Sequence, residues 1–491
     1  MYFIGVDLGT SAVKLLLMDE EGKIVNIVSR EYPLYFPHPG WSEQKPEDWW
    51  EQSKEGIREL VKDVDKSQVA GISFGGQMHG LVILDENDNV IRPAILWNDG
   101  RTAKQTDYLN TVIGKEKLSE YTANIAFAGF TAPKILWVKE NEPDNFAKIC
   151  KIMLPKDYLA YRLSGAFVSD YSDASGMLLM DVKNKCWSKE MAEICGISLE
   201  MLPELHESFD AVGTLKPEVA AELGLPETCK VVAGAGDNAA AAVGTGTVGD
   251  GMCNVSLGTS GTVFISSSKF GVDSHNALHA FAHADGHYHL MGCMLSAASC
   301  NKWWMDEIIR TKEYTKEQEN ITKLGENNVF FLPYLMGERT PHLDPNARGM
   351  FFGLSAMHTK KHMLRAVLEG VSYSLRDCVE VFREMDINVS DMMACGGGGT
   401  SPLWRSMLAD LYNCPVKTVA SKEGPALGVA LLALTGAGVY SSVPEACKAV
   451  VTTDKVQQPN EENVPVYESY YQLYHEIYPA VKAQCAKLAK L

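Results

Sequence analysis

The chain has 491 residues, 46% hydrophobic and 22% charged, with a formal net charge of −17. That length suits two or three domains, and either half can bury its own core. So acidic a surface disfavours nucleic acid and anionic membrane as partners.

The first residues, Met1 to Asp7, carry no basic segment and are read as mature protein rather than a signal peptide. Tyr2–Asp7 and Val13–Met18 are short apolar runs and predict a β-hairpin, with Ile24–Ser29 as a third strand. Trp49, Ser53, Ile57, Leu60, Val61 and Val64 share one helical face, with Pro46 suited to the first turn. Val69–Phe74 and Lys230–Ala233 read as buried strands. Met252–Ser256 and Thr262–Ser266 repeat the opening hairpin. A helix over about 359–386, a strand at Met392–Cys395, a helix from Pro402 to Leu411, a strand at Val416–Val419 and a helix from Pro425 follow. The tract from Gly424 to Pro444 lacks charge, but its Gly and Pro content favours a buried small-residue helix over a membrane span. The tail, about 464–489, reads as an amphipathic helix. Strands alternating with helices give an α/β class. The twelve cysteines form no Cys-x-x-Cys pair and fit a reducing cytoplasm.

Two phrases are nearly alike, GVDLGTSAV from Gly5 and NVSLGTSGTV from Asn254. They predict two similar halves, with lobes at 1–248 and 249–491. The turns stay open to two readings. They are ordinary tight hairpins, or they face each other across a cleft and grip a nucleotide's phosphates. In the second reading Asp7 holds Mg²⁺, and Ser256 avoids repelling phosphate. Gly396 to Thr400, after a buried strand, is a further loop suited to ligand approach. No Walker A loop is present. Gly234-Ala235-Gly236-Asp237-Asn238-Ala239 fits a dinucleotide fingerprint, but Asp237 would oppose the pyrophosphate. The same helix start would instead keep Asp237 ionised, as an acceptor placed to act as general base. The histidines at 275, 279, 283, 287 and 289 read as strand and turn residues rather than metal ligands. Glu338-Arg339 is expected to be an ion pair bracing the lobe interface.

The duplicated turns, Gly236-Asp237-Asn238 and the late glycine loop resemble the FGGY carbohydrate kinase family. Two further stretches carry the resemblance: Gly129 to Asn141, and Gly349 to Leu354 followed by His362 to Glu369. So do Gly76-Gln77-Met78-His79-Gly80, Leu154-Pro155-Lys156-Asp157-Tyr158 and Gly337-Glu338-Arg339-Thr340-Pro341. The resemblance implies two RNase H-like lobes of the actin-like ATPase fold with a central cleft. It also implies ATP- and Mg²⁺-dependent phosphorylation of D-xylulose in the cytoplasm. Another ketose or polyol, such as ribulose or glycerol, is the alternative substrate, and a non-catalytic sensor the alternative class. Carried over by position, Asp237 is the catalytic base. Gln77, Met78, His79 and Asn238 join it at the sugar, with His79 donating to a hydroxyl. Thr10, Ser11, Gly258, Thr259, Gly261, Gly397 and Gly398 meet ATP, and Asp7 the metal. A homodimer is left open.

Overall fold

The computed structural model describes residues 1–319, 321–326 and 328–491. The first half opens with the expected hairpin, β1 (Tyr2–Leu8) and β2 (Ala12–Asp19). It continues through β3 (Ile24–Glu31), α1 (Pro46–Leu60), β4 (Val69–Gly76), β5 (Ala211–Thr214), β6 (Lys230–Gly236) and α2 (Asp237–Gly244). The second half repeats the plan with β7 (Met252–Leu257), β8 (Gly261–Ser267), β9 (His279–Ala282), β10 (Tyr288–Met294), α3 (Lys360–Glu384) and β11 (Asp391–Cys395). Then come α4 (Pro402–Tyr412), β12 (Val416–Val419), α5 (Gly424–Gly436), β13 (Thr453–Gln457) and the tail helix α6 (Val464–Leu488).

The first sheet has the order β5-β6-β4-β1-β2-β3, and the second β9-β10-β8-β7-β11-β12-β13. Their inner strands correspond. β1 pairs antiparallel with β2 and parallel with β4, as β7 does with β8 and β11. β6 and β12 each add the next parallel strand. The repeated phrase thus marks a repeated lobe, the two-lobed α/β architecture expected of actin-like ATPases.

β1 is apolar apart from Asp7 because both its faces are covered. Ile4, Val6 and Leu8 pack with Trp49 and Ile57 of α1, while Phe3 packs with Ala426 and Ala430 of α5. Gly5 shares the Phe3 face, where a Cβ would stand 2.2 Å from the Ala426 carbonyl oxygen. Strand alternation puts Asp7 on this same face. So α5, from the second half of the sequence, lies against the sheet of the first. It is the buried helix expected in the uncharged tract. Among the described residues no helix is long and apolar enough to cross a membrane. The twelve cysteines are all free thiols.

The glycine loop departs from expectation, since Gly396–Gly399 winds into one helical turn. Thr400 Oγ1 donates to the Gly397 carbonyl at 2.7 Å, and Arg405 Nη1 to that of Gly399 at 2.8 Å. A Cβ on Gly398 would stand 2.7 Å from Leu257 and 2.8 Å from Trp404. Glycine is needed there for close packing beneath the second turn.

Candidate active site

Three parallel strands end in one row, with Leu8 opposite Gly76 and Gly76 opposite Gly236. The carboxyl ends of parallel strands are where open α/β sheets hold ligands. Each strand here hands over its candidate residues directly: Gly9 to Ser11 after β1, Gln77 to His79 after β4, and Asp237-Asn238 after β6. The second lobe does the same. Ser256 lies opposite Cys395, so Gly258 and Gly396 begin adjacent turns.

In the first turn, Gly9 N–H donates to the Ala12 carbonyl at 3.0 Å, and Tyr32 OH donates to the Gly9 carbonyl. Trp97 Nε1 donates to Thr10 Oγ1 at 3.0 Å. Gln44, fully buried, donates to the Thr10 carbonyl at 2.6 Å. Its Oε1 accepts from Trp49 Nε1 at 3.1 Å and from Gln77 Nε2 at 2.8 Å. Gln77, assigned to the sugar by sequence, thus has its amide turned toward Gln44. It ties the loop after β4 to the turn after β1.

His79 sits at φ 69°, a rare conformation for a non-glycine residue. Its carbonyl is held there by Lys134 Nζ at 2.7 Å and Thr131 Oγ1 at 3.1 Å. His79 Nδ1 lies 2.7 Å from the Gly176 carbonyl, which can only accept, so Nδ1 carries the proton and donates. Burial first, and then the Lys134 charge, push the imidazole down to about 3, so it is neutral. Its Nε2 is then an acceptor, and the donating role expected from sequence is corrected to an accepting one. Met78 packs beneath Gly236, where a Cβ would stand 2.9 Å from its methyl carbon, and Asn238 Nδ2 lies 3.7 Å from Met78 Sδ. Met78, His79, Asp237 and Asn238 are therefore one cluster.

Burial raises the Asp237 carboxyl to about 7, with the Asp7 charge adding to it and the Asn238 N–H opposing. Burial likewise raises Asp7 to about 6, against the pull of Lys14. The helix start was expected to keep Asp237 well ionised; loss of water and the neighbouring carboxylate outweigh it. The peptide before Asp237 is anchored from behind. Gly236 N–H donates to Ser172 Oγ at 3.2 Å, and Ser172 Oγ donates to Asp170 at 2.5 Å. Asp170 lies 2.8 Å from the fully buried Lys156, which also reaches Asp157 at 2.6 Å.

In the second lobe, the second turn is held by Ala298 N–H to the Gly258 carbonyl at 2.8 Å and Ser299 Oγ to that of Thr259 at 2.7 Å. Thr259, Gly397 and Gly398 line one cavity of about 630 Å³, with Lys302, Tyr314 and Gln318. Gly261 is buried against Met294 and Ala297.

Residues 2–244 match the FGGY family of carbohydrate kinases, N-terminal domain, and residues 253–437 match its C-terminal domain. The chain belongs to the FGGY family of carbohydrate kinases. The resemblance read from the sequence holds, and with it an ATP-dependent phosphotransferase activity on a sugar. The chain is 40% identical over 486 residues to the xylulose kinase of Bacillus subtilis (strain 168), covering 98% of this chain and 97% of that one. It is 40% identical over 485 residues to the xylulose kinase of Escherichia coli (strain K12), covering 97% and 99%. A crystal structure described as a xyloylose kinase from Brucella ovis superposes with a TM-score of 0.94 at 38% identity, covering 99% of this chain and all (100%) of that one.

The FGGY stretch from Gly129 to Asn141 now has a physical reading. Lys134, fully buried, donates from its Nζ to the carbonyls of His79 and Gly129, at 2.7 and 2.6 Å. Sequence reasoning missed Gln44 and gave Lys134 no role within that stretch, since nothing local signals contacts so distant along the chain. The Glu338-Arg339 expectation is corrected. Among the described residues these side chains form no ion pair. Glu338 turns inward and accepts from the N–H groups of Leu295 and Arg339, at 3.0 and 2.7 Å. Arg339 turns outward, its guanidinium 5.4 Å from the Phe127 ring centre.

Burial also lifts Glu338, to about 8. Asp7, Asp237 and Glu338 are thus among the carboxyls of this FGGY kinase whose folded pKa values lie above their unfolded values near 4. The folded state binds more protons than the unfolded one, so this contribution is complete at low pH and is lost as pH rises through 6–8. In a calorimetric series of the unliganded protein this contribution should lower Tm as pH rises from about 4 to 8. Glu338→Gln should flatten that slope. An unchanged slope in the variant would refute the assignment.

Proposed function

We propose that the chain transfers the γ-phosphoryl group of ATP to the 5-hydroxyl of D-xylulose, giving D-xylulose 5-phosphate and ADP. The observation that carries this is 40% identity, over at least 97% of both chains, to proteins named xylulose kinase. In this reading residues 1–248 bind sugar and residues 249–491 nucleotide. Met78 walls the sugar, Asn238 donates to it, and His79 Nε2 accepts from one of its hydroxyls. Gln77, with its Nε2 given to Gln44, keeps a buried and unpartnered Oε1 to accept from the sugar. The 5-hydroxyl oxygen forms the new P–O bond as the bond from the γ-phosphorus to the bridging oxygen of ADP breaks. Its proton passes to Asp237. In a loose transition state that proton leaves late, so a carboxylate suffices, and a pKa near 7 suits it better than an ordinary carboxylate would.

Thr10 and Ser11 face the terminal phosphates from one lobe, Gly258 and Thr259 from the other. Gly397 and Gly398 approach the adenosine, and Gly261 allows the second turn to pack. Mg²⁺ takes one or two carboxylates and leaves its other positions to water and phosphate. A single partly charged Asp7 beside two hydroxyls suits that donor set. When bound, the cation offsets phosphate charge in the transition state.

A coupled ADP-release assay over D-xylulose, D-ribulose, glycerol and related sugars tests the reading. The highest kcat/KM is expected with D-xylulose. A higher value with another sugar, or no sugar-dependent release, would contradict it. Asp7→Asn should shift the Mg²⁺ titration of activity to concentrations roughly tenfold or more higher, the loss of one charged ligand. A titration overlaying that of the parent would remove Asp7 from the metal site.

A further inference from the structure

The cluster around His79 continues into the second lobe. Its ring centre is 4.7 Å from Phe130, and Phe130 is 5.7 Å from His279. His279 lies 5.1 Å from Phe127 and stacks on Phe281 at 5.5 Å. Phe127 and Phe130 come from the first half of the chain, His279, Phe281 and Arg339 from the second. Together they make an aromatic cluster beside His79 that joins the two halves of the chain.

One polar group here is unsatisfied, and one neighbouring cation is left without an ion pair. His279 is 7% exposed, and its Nδ1 is buried with no hydrogen-bond partner. A buried nitrogen left unpaired is costly, so such a group is expected to meet a ligand. Arg339 is exposed and forms no ion pair among the described residues, in a chain of net charge −17. Its neighbour Glu338, the obvious partner, is turned inward. The two groups also lie away from the reacting end. They adjoin the His79 side of the cluster, with Phe130 and Phe281 centred 4.7 and 6.5 Å from the His79 ring, whereas the carboxyl that acts on Asp237 is Asp7.

We propose that His279 and Arg339 bind the keto end of a ketopentose, the guanidinium donating to the C2 carbonyl and the imidazole pairing with the C1 hydroxyl. This rests on the proposed function, which puts the 5-hydroxyl at Asp237 and so sends C1 and C2 to the far side of His79. The sugar pocket is then shared by both lobes. A site built to pair a substrate hydroxyl rejects analogues that lack it.

The test compares D-xylulose with 1-deoxy-D-xylulose in the parent, His279→Ala and Arg339→Ala. The parent should favour D-xylulose by roughly tenfold or more, as loss of one buried hydrogen bond implies. His279→Ala should bring that ratio close to one. Arg339→Ala should raise KM for both sugars roughly 10–100-fold, the range for a charged donor, with KM for ATP little changed. Arg339 is exposed, so its variant should fold even if the histidine variant does not. If the parent is active and both variants keep its ratio and its sugar KM, the inference is overturned while the function stands. A parent inactive on every ketose overturns both.

Discussion

Asp237→Asn should lower kcat roughly 10²–10⁴-fold, the range for a positioned general base, while leaving ADP binding by calorimetry close to that of the parent. The expectation follows from position and from charge. Asp237 is the first residue after a strand end shared with Leu8 and Gly76, on a peptide held by Ser172 and Asp170. The amide is nearly isosteric, so the nucleotide turns should be undisturbed. The ionisation gives a second signature. A base works when deprotonated, so kcat/KM for the sugar should rise with pH through an acid limb near 7. The Asp7 charge is one cause of that position, so in Asp7→Asn the limb should move to lower pH. A limb near 4 in the parent, or an Asp237→Asn enzyme of undiminished kcat, would exclude the role.

The second large effect is expected far from any ligand. α2, which begins at Asp237, crosses α5 through glycine. A Cβ on Gly428 would stand 1.8 Å from the Ala240 carbonyl oxygen and 2.9 Å from the Gly244 nitrogen. Both are helix backbone and cannot rotate aside. Gly428→Ala must therefore push α2 and α5 apart. Overpacking of this kind costs about 1–3 kcal/mol. The shift also reaches the chemistry, because α2 carries Asp237, and about 1 Å of misplacement can cost 10²-fold in rate. Gly428→Ala should thus lower Tm and kcat together. Gly213→Ala is the control. It lies on edge strand β5 with only an ordinary 3.6 Å contact to Ser164, and should change neither. A Gly428→Ala protein with parental Tm and kcat would show that the crossing is not needed to place Asp237.

These two residues also mark what the sequence could and could not convey. The hairpins, the buried parallel strands and the long helices were readable because period and turn residues are local signals. The repeated LGTS phrase sufficed to expect two lobes, and the strand ends then brought Asp7, Met78, His79, Asp237 and Asn238 together. By contrast, no period in the uncharged tract says that α5 packs on the sheet of the other lobe. That depends on Gly5, Ala240 and Gly244, each distant in sequence. The ionisation of Asp237 was misjudged for the same reason. A helix start is visible in a sequence, but the burial and the neighbouring Asp7 that overrule it are not. Gln44 and Lys134 look like ordinary surface residues until the fold encloses them.

The most direct measurement is a crystal structure with D-xylulose and a non-hydrolysable ATP analogue bound with Mg²⁺. The sugar 5-hydroxyl should lie about 2.6–3.2 Å from the Asp237 carboxylate, in line with a γ-phosphate held between the turns at Thr10 and Gly258. A 5-hydroxyl turned away from Asp237, or a triphosphate bound outside the space between those turns, would contradict the account.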